Sequence, residues 1–143
     1  MKSLLLGNLV VTWMLVGLIW TIQVVHYPLF ARVGAAEWAR FHAEHSTRIT
    51  LLVGPLMVAE LGLAVALGLW APPERRVWAW VAAGLVGVAW LSTAFLSVPL
   101  HNRLGAGQDL GLIAELVQTN WPRTLAWTLR GLLLLGWVSR ADA

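Results

Sequence analysis

A chain of 143 residues that is 59% hydrophobic and only 12% charged is not an ordinary soluble domain, in which about a quarter of the residues carry charge. Its net charge of +3 comes from basic residues scattered along the edges of apolar blocks, with no basic run, which excludes a nucleic-acid partner and fits the flanks of membrane helices. The absence of cysteine excludes disulfides and thiolate metal ligands.

Four apolar blocks, 4–25, 49–70, 77–100 and 121–138, are long enough to cross a bilayer, which takes roughly 20 residues of helix. The expected fold is all-α: a four-helix transmembrane bundle in up-down-up-down order, with 1–143 forming one integral membrane domain. The opening MKSLLL could begin a signal peptide. The apolar run it starts contains Trp13, Trp20 and Gln23 and lacks a small-x-small cleavage site, so it reads as a retained span. Asn8, Thr12, Gln23 and His26 fall on one stripe of that helix, and a polar stripe in hydrocarbon is expected to face other helices.

The connection at 27–46 contains GAAEWARFHAEHSTR, whose spacing predicts a helix feeding straight into the second block. His42 lies about five turns from Glu60 and one turn from His45, so the three share an inward face, subject to a kink expected at Gly54–Pro55. APPERR makes a tight turn to the third block, where Thr93, Ser97 and His101 step by four residues into another stripe. The connection at 101–120 carries LGLIAELVQTN, a short helix expected to lie at the membrane interface, so one face of the bundle bears the short helices. In the fourth block Arg130 lies deep among apolar residues and requires a counter-charge. Glu60 is the only acidic residue inside any span, so the two are expected to pair and, with Gln23, to line an inner polar cavity. Trp38, Trp70, Trp78, Trp80, Trp121 and Trp137 fall near span ends, as an aromatic belt requires, and no internal repeat stands out.

Four spans put both termini on one side, with Lys2, Arg75, Arg76 and Arg140; Arg32, Arg40, Arg48, Arg103 and Arg123 lie on the other. The compact PPERR turn favours cytoplasmic termini, and the expected location is the inner (plasma) membrane of a bacterium. Topology then places His26, His42, His45 and His101 at one mouth of the bundle. The i, i+3 spacing of His42 and His45 lets two imidazoles share an ion, with Glu44, Arg48, Asn102, Asn120 and Arg123 near enough to hold ring N–H groups or a ligand. An imidazole-rich set without thiolate suits copper, zinc or iron; haem, or a metal-free proton-handling site, are the alternatives.

VPLHNRL and NWPRTLAWTLRGLLLL resemble segments of a family of small four-span membrane proteins related to the anthrone oxygenases. In that family a proline-asparagine-x-arginine-leucine-like stretch closes span three and an asparagine/arginine pair opens span four. The matching residues here are Pro99, His101, Asn102, Arg103 and Leu104, then Asn120 and Arg123. HYPLF, FHAEHSTRI and GPLMVAEL look like a histidine-bearing branch of such proteins, and four histidines are a departure from the pattern. The resemblance implies the bundle fold. Three functional expectations follow from the residues. The first is a metal-dependent membrane oxidoreductase or oxygenase acting on a lipophilic, aromatic or quinone-like molecule, with Arg123, Asn120 and Arg48 steadying an anionic oxygen. The second is a non-catalytic accessory or haem-binding subunit of a larger membrane complex or homo-oligomer. The third is metal or proton handling across the membrane.

Overall fold

The computed structural model describes residues 1–139, and Arg140, counted above among the basic residues, lies outside them. The described chain is all helical: α1 (Lys2–Arg32), α2 (Trp38–Trp70), α3 (Pro73–Leu104), the short α4 (Leu110–Thr119) and α5 (Trp121–Ser139). The first three are long and apolar enough to cross a membrane; α5 has the length of a span but carries Arg123 and Arg130. The four long helices form a ring in which α1 and α3 each pack against both α2 and α5, and α4 packs on the later turns of α1 and α3. Paired residues run in opposite senses along neighbours: Asn8 meets Leu63, Thr12 meets Glu60 and His26 meets His45.

Two prolines set the local geometry of α1 and α3. A helical proline lacks the N–H that would bind the carbonyl four residues back, and its ring crowds that carbonyl. Here each is preceded by one widened turn, Ile22–His26 before Pro28 and Thr93–Ser97 before Pro99. In these turns the N–H of Tyr27 reaches the carbonyl of Ile22, and that of Val98 reaches Thr93, five residues back. Both helices therefore continue through the proline instead of ending. Pro55 lies inside the uninterrupted α2.

The two widened turns begin 71 residues apart, and the same shift exposes an internal repeat that sequence reading passes over. It superposes Pro28, Leu29, Arg32, Gly34 and Ala35 on Pro99, Leu100, Arg103, Gly105 and Ala106, and Ala43 and Glu44 on Ala114 and Glu115. The fold is two related helical hairpins, α1–α2 and α3 with α4–α5. The second differs by a break at Asn120, where the first has a continuous helix.

A second apolar cluster lies at the end away from the histidines. Leu5, Leu67, Ala79, Leu134 and Trp137 are buried there, and a Cβ at Gly68 would come within 2.9 Å of the Trp80 indole. Two tryptophans expected in the belt are instead buried. Trp137 joins this apolar cluster, while Trp38 packs beside Phe30 and donates its indole N–H to Leu104 O at 2.8 Å. A buried indole N–H needs such a partner, and the carbonyl at the end of α3 provides it.

Candidate functional site

The four histidines do meet, coming from α1, α2 and α3 at one end of the bundle. His26 Nε2 is 2.8 Å from His45 Nδ1, and His42 Nε2 is 3.2 Å from His101 Nδ1. His42 and His45 do not pair with each other: each takes its partner from another helix, and their own rings stand 6.4 Å apart between centroids. Phe30, Phe41 and Trp38 wall the cluster with edge-on and stacked contacts to His45 and His42. The second nitrogen of His45, Nε2, is buried without a hydrogen-bond partner.

Proton positions follow from one residue that sequence reading missed. A guanidinium can only donate. Arg123 Nη2 donates to the Tyr27 hydroxyl at 3.4 Å, so the phenol proton points elsewhere, and His101 Nε2 at 3.1 Å is its acceptor. The neutral His101 ring then carries its proton on Nδ1 and donates it to His42 Nε2. Arg123, Tyr27, His101 and His42 thus form one directed chain of donors across α5, α1, α3 and α2. Tyr27 is the only tyrosine in the chain and lies beside His26, which was the available signal.

Arg123 is itself held from behind. It donates to Asn120 Oδ1; Asn120 Nδ2 donates to Gln23 Oε1 at 2.7 Å, and Gln23 Nε2 donates to Val117 O at 3.0 Å. The break between α4 and α5 at Asn120 lets that side chain reach α1 while Arg123, one turn on, faces the histidines.

Glu44 and Arg48 do not belong to the site. Glu44 accepts from Arg40 Nε at 3.0 Å and Arg48 Nη2 at 3.2 Å on the exposed face of α2, with the Arg48 side chain 79% exposed. Two residues beyond His42 is a rotation of about 200° on a helix, which turns Glu44 outward. Asn102 is exposed but lines the mouth of the cavity described below.

The expected Glu60–Arg130 pair is present, with Nη1 to Oε1 at 3.0 Å and both side chains buried. Asn8 Oδ1 accepts from Arg130 Nη2 at 2.6 Å, Ala82 O accepts from Nε at 3.2 Å, and Thr12 contacts both partners. Trp127 Nε1 donates to the other Glu60 oxygen at 2.7 Å. Hydrogen bonds from surrounding helices thus enclose the pair, and neither Glu60 nor Arg130 lines the cavity beside the histidines. Gln23 is not part of it and belongs to the Asn120 group.

The cavity lies nearer the histidines. A space of about 640 Å³ between α2 and α3 has one polar end, formed by Tyr27, His42, His101 and Arg123. Its remainder is largely apolar, with Leu15, Ile19, Ile22, Val53, Met57 and Trp127 on the wall. His26 and His45 are not on that wall. Among the described residues no three histidine, aspartate or glutamate side chains are grouped so as to hold one metal ion, since the imidazoles are engaged in two nitrogen-to-nitrogen pairs. Comparison with known proteins gives no match to a family model, a curated protein or a solved structure.

Proposed function

We propose that this chain is an integral membrane protein of four spans in up-down-up-down order, with α4 at the interface and both termini cytoplasmic in a bacterial inner membrane. Its cavity serves proton-coupled oxidation of a lipophilic molecule bearing a phenolic or quinol hydroxyl. The observation that carries the reading is the directed Arg123–Tyr27–His101–His42 chain opening onto an otherwise apolar cavity. The apolar wall suits a ring or chain, and the polar end can take a hydroxyl proton and steady the oxygen left behind.

Oxidation also needs an electron acceptor. This reading names dioxygen, assisted by copper or iron at the histidines; zinc would restrict the site to acid–base work. The residue that favours a metal is His45, whose Nε2 is buried without a partner. Seating an ion among the imidazoles would require one of the two ring pairs to open.

The test is oxygen uptake by the detergent-purified protein with an alkyl hydroquinone, alongside elemental analysis and a visible spectrum. Turnover that is lost in His101→Ala and Tyr27→Phe, with helix content preserved, is the expected result. No uptake, together with a Soret band or a stable co-purifying membrane partner, would replace this reading with that of an accessory or haem-binding subunit.

A further inference from the structure

Among the described residues two arginines are buried, Arg123 and Arg130, and only Arg130 is paired with a carboxylate. Arg130 pairs with Glu60. Arg123, 6% exposed, has only neutral partners: Thr93 Oγ1 at 3.4 Å, the Tyr27 hydroxyl at 3.4 Å and Asn120 Oδ1. Its Nε is buried with no partner at all, as are the hydroxyls of Ser46 and Ser97, and all three residues line the same cavity. A buried cation without a counter-charge is costly, and the cost is removed by an anion in the adjoining space.

The internal repeat shows how such a molecule gets in. On α2 the cavity is bordered by Ala39, Ala43, Ser46, Thr50 and Gly54. The shift of 71 residues replaces these with Leu110, Ala114, Val117, Trp121 and Leu125. At that counterpart interface the space between α1 and α4–α5 is closed. The Trp121 ring meets Trp20 at 5.8 Å, Trp20 Nε1 donates to Thr128, and Gln23 bonds across to Val117 O and Asn120. Related frameworks are thus filled on one side and left open on the other. On the open side Ala39, Ala43, Thr50, Val98 and Asn102 reach the outer surface, between helices apolar enough to sit in a membrane.

We propose that the cavity takes a lipophilic anion, an apolar body ending in a single oxyanion, which enters sideways from the bilayer between α2 and α3 and rests its oxygen on Arg123. The oxyanion accepts from Arg123 Nε and the hydroxyls of Ser46 and Ser97, and the apolar body lies along Leu15, Ile19, Val53 and Met57. This rests on the membrane reading above and deepens it: acids already ionised at the membrane surface bind directly, and a quinol presents the same oxyanion once its hydroxyl proton has passed to the site.

The full chain, in nanodiscs of phosphatidylcholine, is titrated with three probes: dodecanoate, dodecanol and an ionised alkyl hydroxynaphthoquinone. Both anions are expected to bind at least about tenfold more tightly than dodecanol, the carboxylate and phenolate arms showing which oxyanion is preferred. Arg123→Lys keeps the preference and Arg123→Met abolishes it. The double variant Ala43→Leu with Thr50→Leu narrows the opening at two exposed positions of α2 that flank Ser46, and is expected to slow the association of all three probes, read by stopped flow. Equal binding of dodecanoate and dodecanol by the wild-type chain overturns the anion site, whatever Arg123→Met does to folding. Unchanged association rates in the α2 double variant overturn the lateral route. Hydroquinone turnover is read separately: turnover with equal acid and alcohol binding sinks this inference alone, and tight anion binding without turnover sinks the oxidation reading alone.

Discussion

The bundle contains two polar clusters built from similar parts but finished differently. Around Glu60 and Arg130, a carboxylate, an amide, a hydroxyl, an indole and a backbone carbonyl occupy the charged groups from four helices. Around Arg123 and the histidines, Arg123 Nε, His45 Nε2 and the hydroxyls of Ser46 and Ser97 remain buried and unpaired beside or near an open space. A polar group deprived of water and partner costs about 1–3 kcal/mol, more when charged. The first cluster meets its polar atoms' needs within the fold; the second leaves several buried polar atoms without partners.

The most damaging way to break this contrast is to remove one member of the completed pair. Arg130→Met leaves the Glu60 carboxyl buried without its counter-charge, and Glu60→Leu does the same to Arg130. Each is expected to destabilise by about 3–5 kcal/mol, whereas the double replacement by apolar residues recovers most of the loss. Unfolding in detergent, read as a double-mutant cycle, measures this. Two single variants whose losses simply add in the double would mean that the pair is not a unit.

Trp127 belongs to both clusters, with its indole N–H on Glu60 and its ring on the cavity wall. Trp127→Phe removes the bond to a charged acceptor and keeps most of the apolar surface, for an expected loss of about 1.5–3 kcal/mol. Tyr27→Phe tests the other side. It deletes one hydroxyl between Arg123 and His101, costs about 1 kcal/mol of stability, and lowers turnover by on the order of 10²-fold if the chain handles protons. Nitrogen NMR of His101 supplies a readout independent of activity: the ring is protonated on Nδ1 in the wild-type chain and loses that fixed tautomer in Tyr27→Phe. A His101 ring that carries its proton on Nε2 in the wild-type chain would break the donor chain derived above.

Much of this was legible in the sequence where a single strong penalty decided the outcome. An arginine deep in an apolar block needs a carboxylate, and Glu60 was the one acidic residue inside a span, so the pair could be named from counter-charge and depth. The meeting of the four histidines followed from the order of the spans. Which histidine partners which did not follow, because i, i+3 neighbours on one helix diverge enough for rings from α1 and α3 to come between them. The widened turns before Pro28 and Pro99 were hidden, since each adds a residue to a turn without marking the sequence. They also carry the repeat, whose residue matches are few and scattered. Trp38 was assigned to the belt by position, but the carbonyl that draws it inward belongs to Leu104 at the far end of α3.

The smallest expected effect comes from the two residues that the structure moves out of the site. Arg40, Glu44 and Arg48 step by four along the outer face of α2, a spacing that itself marks an exposed stripe. Exposed pairs of this kind are worth little, because water screens them and their long side chains lose freedom in forming them. Arg48→Ala and Glu44→Gln should therefore each change stability by about 0.5 kcal/mol or less, and leave probe binding and turnover at wild-type values. If Arg48→Ala instead removed the preference for dodecanoate, Arg48 would have to swing from the outer face toward the cavity in the bound state. Arg123 would then cease to be the sole cation facing the ligand.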